Sequence, residues 1–204
     1  MPPQPFRSTQ GRLQGDSAKR VTRRGSEYFR FPIEPRPDDN RKVSVDSHRV
    51  VVLLDNIRSL YNTGSILRTA DASGIERVVL CGITPRPDQG GRQQRAIAKT
   101  ALGAEHSVTW EYQPDASAAL QQLAAEGYHI VVVETASDAI NLFEWTAVWP
   151  MCLVFGHERD GVSPLVSAPV HSVIRIPMLG QKRSLNVATA AGIVCYELLR
   201  RRLY

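Results

Sequence analysis

Val50-Val51-Val52-Leu53-Leu54, closed by Asp55-Asn56, decides the fold. Five consecutive aliphatic residues lack the alternation of a half-solvated strand and need apolar cover on both faces, the setting of a parallel strand in an α/β sheet. The polar pair behind them marks the strand's carboxyl end, the edge at which such sheets bind ligands. The same grammar repeats towards the C-terminus. Thr63 to Ser73 reads as a helix stopped by Gly74, Arg77 to Cys81 as a strand, Gln94 to Leu102 as a helix closed by Gly103, and Val108 to Tyr112 as a short strand. Then come a helix from Asp115 to Glu126, strands at His129 to Glu134 and Cys152 to Phe155, and a short helix opening at Ser163-Pro164. A strand from Ser172 to Ile176 and a helix from Leu185 to Arg202 complete the series. Strands alternating with helices predict one parallel-sheet α/β domain over residues 47–204.

Towards the N-terminus the character changes. Residues 1–46 are rich in Pro, Arg, Gln, Ser and Asp, with Tyr28, Phe29 and Phe31 as their aromatic cluster, and are expected to form a flexible basic extension. Of the net charge of +5, this stretch holds +4 (ten Lys/Arg against six Asp/Glu). The folded part is thus nearly neutral, and a basic surface on it requires clustering in space. Cys81, Cys152 and Cys195 are far apart, without metal-ligand spacing, and read as buried, reduced thiols; no metal site is expected. No apolar stretch has the ~20 residues that span a bilayer, and no signal-peptide core precedes the domain, so a cytoplasmic protein is expected.

Three strand ends carry polar loops. In the first, Asp55 to Arg68, Asn62 stands where a helix N-cap would, and Arg68 faces either solvent or the strand ends, where its fork suits a phosphate. In the second, Phe155 to Ser163, Gly156 permits close approach by a ligand or another chain segment, and Glu158 sets a carboxylate just past the strand. The third, Ile176 to Asn186, is a polar bend between apolar residues, fit to hold an adenine between Ile176, Met178 and Leu185. Ser184 or Asn186 serves either that bend or the N-cap of the last helix.

Taken together, Asn62-x5-Arg68, Phe155-Gly156-x-Glu158-x-x-Gly161 and Ile176-Pro177-Met178-x-Gly180-x3-Ser184-Leu185-Asn186-Val187 resemble the three ordered motifs of the SpoU/TrmH branch of the SPOUT RNA methyltransferases. The resemblance runs from about Arg49 to the C-terminus. It implies a C-terminal trefoil knot, which no periodicity reveals, and a homodimer with the active site near the subunit interface. It also implies S-adenosylmethionine as cofactor, and methyl transfer to a ribose 2′-hydroxyl of tRNA or rRNA, tRNA being slightly favoured by analogy. Gly156, Ile176 and Leu185, with Met178 beside them, would contact the cofactor. Asn62, Arg68, Glu158, Ser184 and Asn186 would form the catalytic group. The sequence departs from the pattern at His157, where Asn or a small residue is usual, and at Ala188, where Ser is frequent; His157 is kept as a minor tuning candidate.

An arginine is a poor base, so Arg68 is read as gripping a phosphate and stabilising oxyanion charge rather than taking the proton. Arg86, Arg92, Arg95 and Lys99, together with the extension, are the expected RNA contacts. The competing reading is an RNA-binding protein that keeps the fold without catalysis. Dehydrogenase and P-loop readings lose their support, since neither Gly-x-Gly-x-x-Gly after a strand nor Gly-x4-Gly-Lys-Ser/Thr occurs.

Overall fold

Val50–Asp55 lies in the interior of the sheet, third of its seven strands, and all six of its residues are buried. The computed structural model describes residues 48–157, 161–162 and 169–204, together with the backbone of 19–23 and 26–30. The chain divides into two units, Met1–Arg41 and Lys42–Tyr204. In the first, β1 (Lys19–Arg23) pairs antiparallel with β2 (Ser26–Arg30), Lys19 opposite Arg30 and Arg23 opposite Ser26. The stretch expected to be flexible thus contains one regular element, drawn from Val21, Thr22, Tyr28 and Phe29, residues of high strand preference.

The second unit runs β3 (Val50–Asp55), α1 (Leu60–Ser73), β4 (Arg77–Cys81), α2 (Gly91–Ala101), α3 (Ala104–Ser107), β5 (Trp110–Gln113) and α4 (Ala116–Ala125). It continues through β6 (His129–Val133), β7 (Ile140–Asn141), β8 (Met151–Phe155), β9 (Ser172–Arg175) and α5 (Val187–Leu203). Among the described residues, seven strands form one sheet in the order β5-β4-β3-β8-β6-β9-β7. Every pairing in it is parallel. The strand alternation of β3 divides the core. Val50, Val52 and Leu54 pack on one face with Ile66, Leu67, Val194 and Leu198 of α1 and α5. Val51 and Leu53 pack on the other with Leu120 and Leu123 of α4. Burying each such side chain contributes about 1.5–3 kcal/mol.

Chain order explains where loops meet. From β3 the chain steps outward through β4 to β5, returns to the far side for β6 and β7, then inserts β8 between β3 and β6, and β9 between β6 and β7. The carboxyl ends of β3, β8, β6 and β9 therefore lie side by side, and the segment after β9 must come back across them, because α5 packs on α1.

Local signals account for the boundaries. Gly74, left-handed at φ 67°, stops α1 as expected, its amide bonding back to Ala70 and Asp71. Ser59, not Asn62, caps α1: its hydroxyl accepts from the Asn62 amide at 3.2 Å, which places Asn62 inside the first turn. α2 starts three residues earlier than expected and ends with Leu102 itself left-handed at φ 53°. The four-residue α3 and two-residue β7 are too short to leave a periodic trace. The short helix expected at Ser163-Pro164 lies outside the described residues. All three cysteines are free and buried. Among the described residues, no helix is long and apolar enough to cross a membrane, and no cluster of metal-ligating side chains occurs.

Candidate active site

β6, β8 and β9 end under a cleft of about 300 Å³. Phe155 and Gly156 at the end of β8, Ile176 and Met178 after β9, and Leu185 before α5 line it. The apolar triad expected around an adenine, together with Gly156, therefore converges on one concavity of the size that takes a small ligand. Of the two alternatives at Gly156, one is seen directly: a Cβ there would stand 2.3 Å from the backbone of Gly161 and Val162, so the chain's own loop makes a close approach, and the residue also borders the cleft. His157 and Gly161 close this loop through a backbone bond of 2.9 Å, and His157 lines the same cleft.

Ser184 stands in the cleft wall, exposed. Asn186 is the N-cap of α5: its Oδ1 accepts from the amides of Ala188 at 2.9 Å and Thr189 at 3.4 Å. Its Nδ2 donates to Asn62 Oδ1 at 3.2 Å. The cap and site roles that the sequence left open are thus held together by one amide, which both starts the helix and ties the third loop to the first. Asn62 reaches that contact because the Ser59 cap sets the entry of α1.

Arg68 is not brought into this group. Six residues beyond Asn62 on α1, it points about 120° around the helix from it; it is exposed and absent from the cleft wall. Glu158 lies outside the described residues. Of the expected RNA contacts, Arg92, Arg95 and Lys99 are exposed on α2 at spacings that share one helical face. Arg86 is already engaged, with Nε 3.3 Å from Asp88 and its guanidinium 4.7 Å from the Tyr112 ring.

Among the polar residues of the cleft, Glu134, Thr135 and Arg183 are not among those the motifs single out. Glu134 and Thr135 follow β6 and line the cleft, a polar pair behind an apolar run just as Asp55-Asn56 closes the aliphatic run Val50 to Leu54. The same signal would have found them. The anchoring of α2 was also hidden. Thr100 Oγ1 donates to Tyr61 O at 3.0 Å, and a Cβ on Gly64 would lie 2.2 Å from Thr100 Oγ1 and 2.4 Å from Ile97 O, so the two helices cross at a glycine.

Comparison with known proteins agrees with this geometry. The model of the SpoU rRNA Methylase family matches residues 49–196. A protein of Staphylococcus saprophyticus assigned to the TrmH family of tRNA/rRNA methyltransferases is 35% identical over 159 residues, covering 78% of this chain and 61% of its own. The 23S rRNA (guanosine-2′-O-)-methyltransferase RlmB of Photorhabdus laumondii is 34% identical over 153 residues, covering 74% and 60%. The crystal structure of the SpoU methyltransferase AviRb from Streptomyces viridochromogenes, in complex with AdoMet, superimposes with a TM-score of 0.67 at 26% identity over 81% of this chain and 65% of that one. The chain thus spans about three fifths of the length of these curated relatives.

Proposed function

The chain belongs to the SpoU rRNA methylase family, and from that premise we propose that it transfers a methyl group from S-adenosylmethionine to a ribose 2′-hydroxyl of structured RNA in the cytoplasm. The observation that carries this reading is the Asn186–Asn62 bond beside the cleft, which joins two of the three motifs at one point. The cleft fits the cofactor: it is apolar around Ile176, Met178 and Leu185 and polar at Glu134, Thr135 and Ser184.

When bound, the cofactor supplies a methyl already activated by its sulfonium, so the protein's work is alignment and proton removal. Ile176, Met178 and Leu185 hold the adenine. Ser184 and Asn186 fix the bend and the incoming ribose, and Glu158 positions the substrate. Arg68 grips the adjoining phosphate and stabilises charge developing on the ribose oxygen, while the proton leaves to phosphate or water. Since Arg68 stands away from the cleft of its own chain, it serves the cleft of a partner subunit in a homodimer. The segment after β9 threads a loop to form the trefoil knot of the family. Arg92, Arg95 and Lys99 on α2, with Arg86 and the basic extension, carry RNA phosphates.

Calorimetry with S-adenosylmethionine, followed by transfer of labelled methyl to pools of tRNA and rRNA, tests the reading. Binding plus label that makes the adjacent phosphodiester resistant to alkali is the expected outcome, and the labelled pool names the substrate class. RNA binding without cofactor binding or label would replace the enzyme by a non-catalytic RNA-binding protein.

A further inference from the structure

The cleft contains a carboxylate that none of the three motif loops contributes. Glu134 follows β6, the strand between those that lead to Gly156 and Ile176, and its amide donates to Ile174 O at 3.0 Å. Its Oε1 accepts from the Thr135 amide at 2.7 Å and from Thr135 Oγ1 at 3.2 Å, which fixes the carboxylate. Among the described residues, nothing donates to Oε2, and no cation pairs with the group. Oε2 packs against Gly161: a Cβ there would stand 2.4 Å from it, so the carboxylate occupies space that exists because residue 161 is glycine. A half-buried carboxylate held through one oxygen leaves acceptor capacity facing desolvation, a cost that an arriving donor offsets.

We propose that Glu134 accepts the cis diol of the cofactor's ribose and so makes the site selective for a ribonucleoside, an inference that rests on the S-adenosylmethionine reading above. Position decides for the diol over the cofactor's ammonium. Glu134 is about 4.8 Å, one strand spacing, from the strands that lead into the apolar adenine wall. The ribose hydroxyls are the first donors outward from the base, whereas the ammonium lies at the far end of a flexible chain. A carboxylate is also the acceptor that α/β nucleotide sites set against a ribose hydroxyl.

The test is calorimetry of wild type and Glu134→Gln with three unreactive ligands: S-adenosylhomocysteine, 5′-methylthioadenosine, which lacks the amino-acid end, and the 2′-deoxy form of the latter. The glutamine oxygen can still serve Thr135, while its amino group presents a donor where the diol needs an acceptor. Expected is a loss of about tenfold for the first two ligands alike, with no loss for the deoxy ligand. Equal affinities of variant and wild type for S-adenosylhomocysteine would overturn the assignment. So would a loss confined to S-adenosylhomocysteine, which would give the carboxylate to the ammonium. If the unliganded variant fails to melt like wild type, the wild-type protein carries the test alone: it must prefer 5′-methylthioadenosine over its deoxy form, and indifference sinks the proposal. Wild type that binds none of the three overturns the cofactor reading itself, and this inference with it.

Discussion

Asn186 does two jobs that one substitution can separate. Its Oδ1 caps α5 and its Nδ2 reaches Asn62. Asn186→Asp keeps an acceptor for the helix amides and loses the donor. Its melting temperature is expected to stay near wild type, while methyl transfer falls about tenfold, the worth of one hydrogen bond in the barrier. Asn186→Ala should lose both, with a further ~1 kcal/mol of stability in denaturant titrations. An aspartate variant with full turnover would make the Asn62 contact structural. Glu197 shows the same economy at the other end of α5. Hydrogen bonds from Arg200 and Arg201, against an opposing push from burial, hold its carboxyl down from the ordinary 4.5 to about 2. A depressed folded value contributes stability that is complete above pH 4.5 and is lost as pH falls towards 2. Glu197→Gln should therefore lower the melting temperature at neutral pH and flatten its decline across that window. Arg201 also donates to Leu142 O at 2.6 Å and to Trp145 O, so this ion pair fastens the turn after β7 to the helix.

At the scale of elements, the sequence is most legible where one segment decides its own state. The aliphatic run of β3 and the left-handed Gly74 need nothing from elsewhere to be read, and both are found where expected. Of the two roles open to Asn62, cap and site, the cap falls to Ser59, three residues earlier and an equally good capping residue, and only the path of the chain from Asp55 chooses between them. Glu134 passed unnoticed because a carboxylate behind a strand acquires meaning only once β8 and β9 flank that strand. The helix crossing at Gly64 is likewise invisible in one dimension, and it predicts a measurable cost. Gly64→Ala would press a methyl against Ile97 O, a backbone atom that cannot swing aside, and should destabilise by about 1–3 kcal/mol in thermal or urea unfolding. A neutral result would mean that α2 can slide on α1. The exposed face of α2 carries a second expectation. If Arg92, Arg95 and Lys99 touch phosphates, Arg95→Ala should weaken binding to all RNA sequences alike and reduce the slope of log affinity against log salt by about 1. An unchanged slope would remove the helix from the RNA surface.

At the scale of the whole molecule, the proposed homodimer makes a demand of its own. The cleft and the Asn186–Asn62 bond belong to one chain, while Arg68, proposed to stabilise the reacting oxygen, is exposed and absent from that cleft's wall. If Arg68 takes part in transfer from across an interface, each site is completed by a second copy. Residues on the same stripe of α1 and on the outer face of α5, Tyr61 at 52% and Tyr196 at 51% exposure, leave aromatic surface of the kind that subunit interfaces cover. A two-fold dimer would give each cleft the partner's Arg68. Arg68→Ala and Asn186→Asp are each expected to impair transfer as homodimers. In an equal mixture refolded together, about half the dimers are mixed, and each of these contains one cleft with an intact Asn186 and an intact arginine from across the interface. Activity should therefore recover to about a quarter of wild type. If Arg68 acts within its own chain, every cleft in the mixture lacks one group or the other, and the mixture stays as impaired as its components.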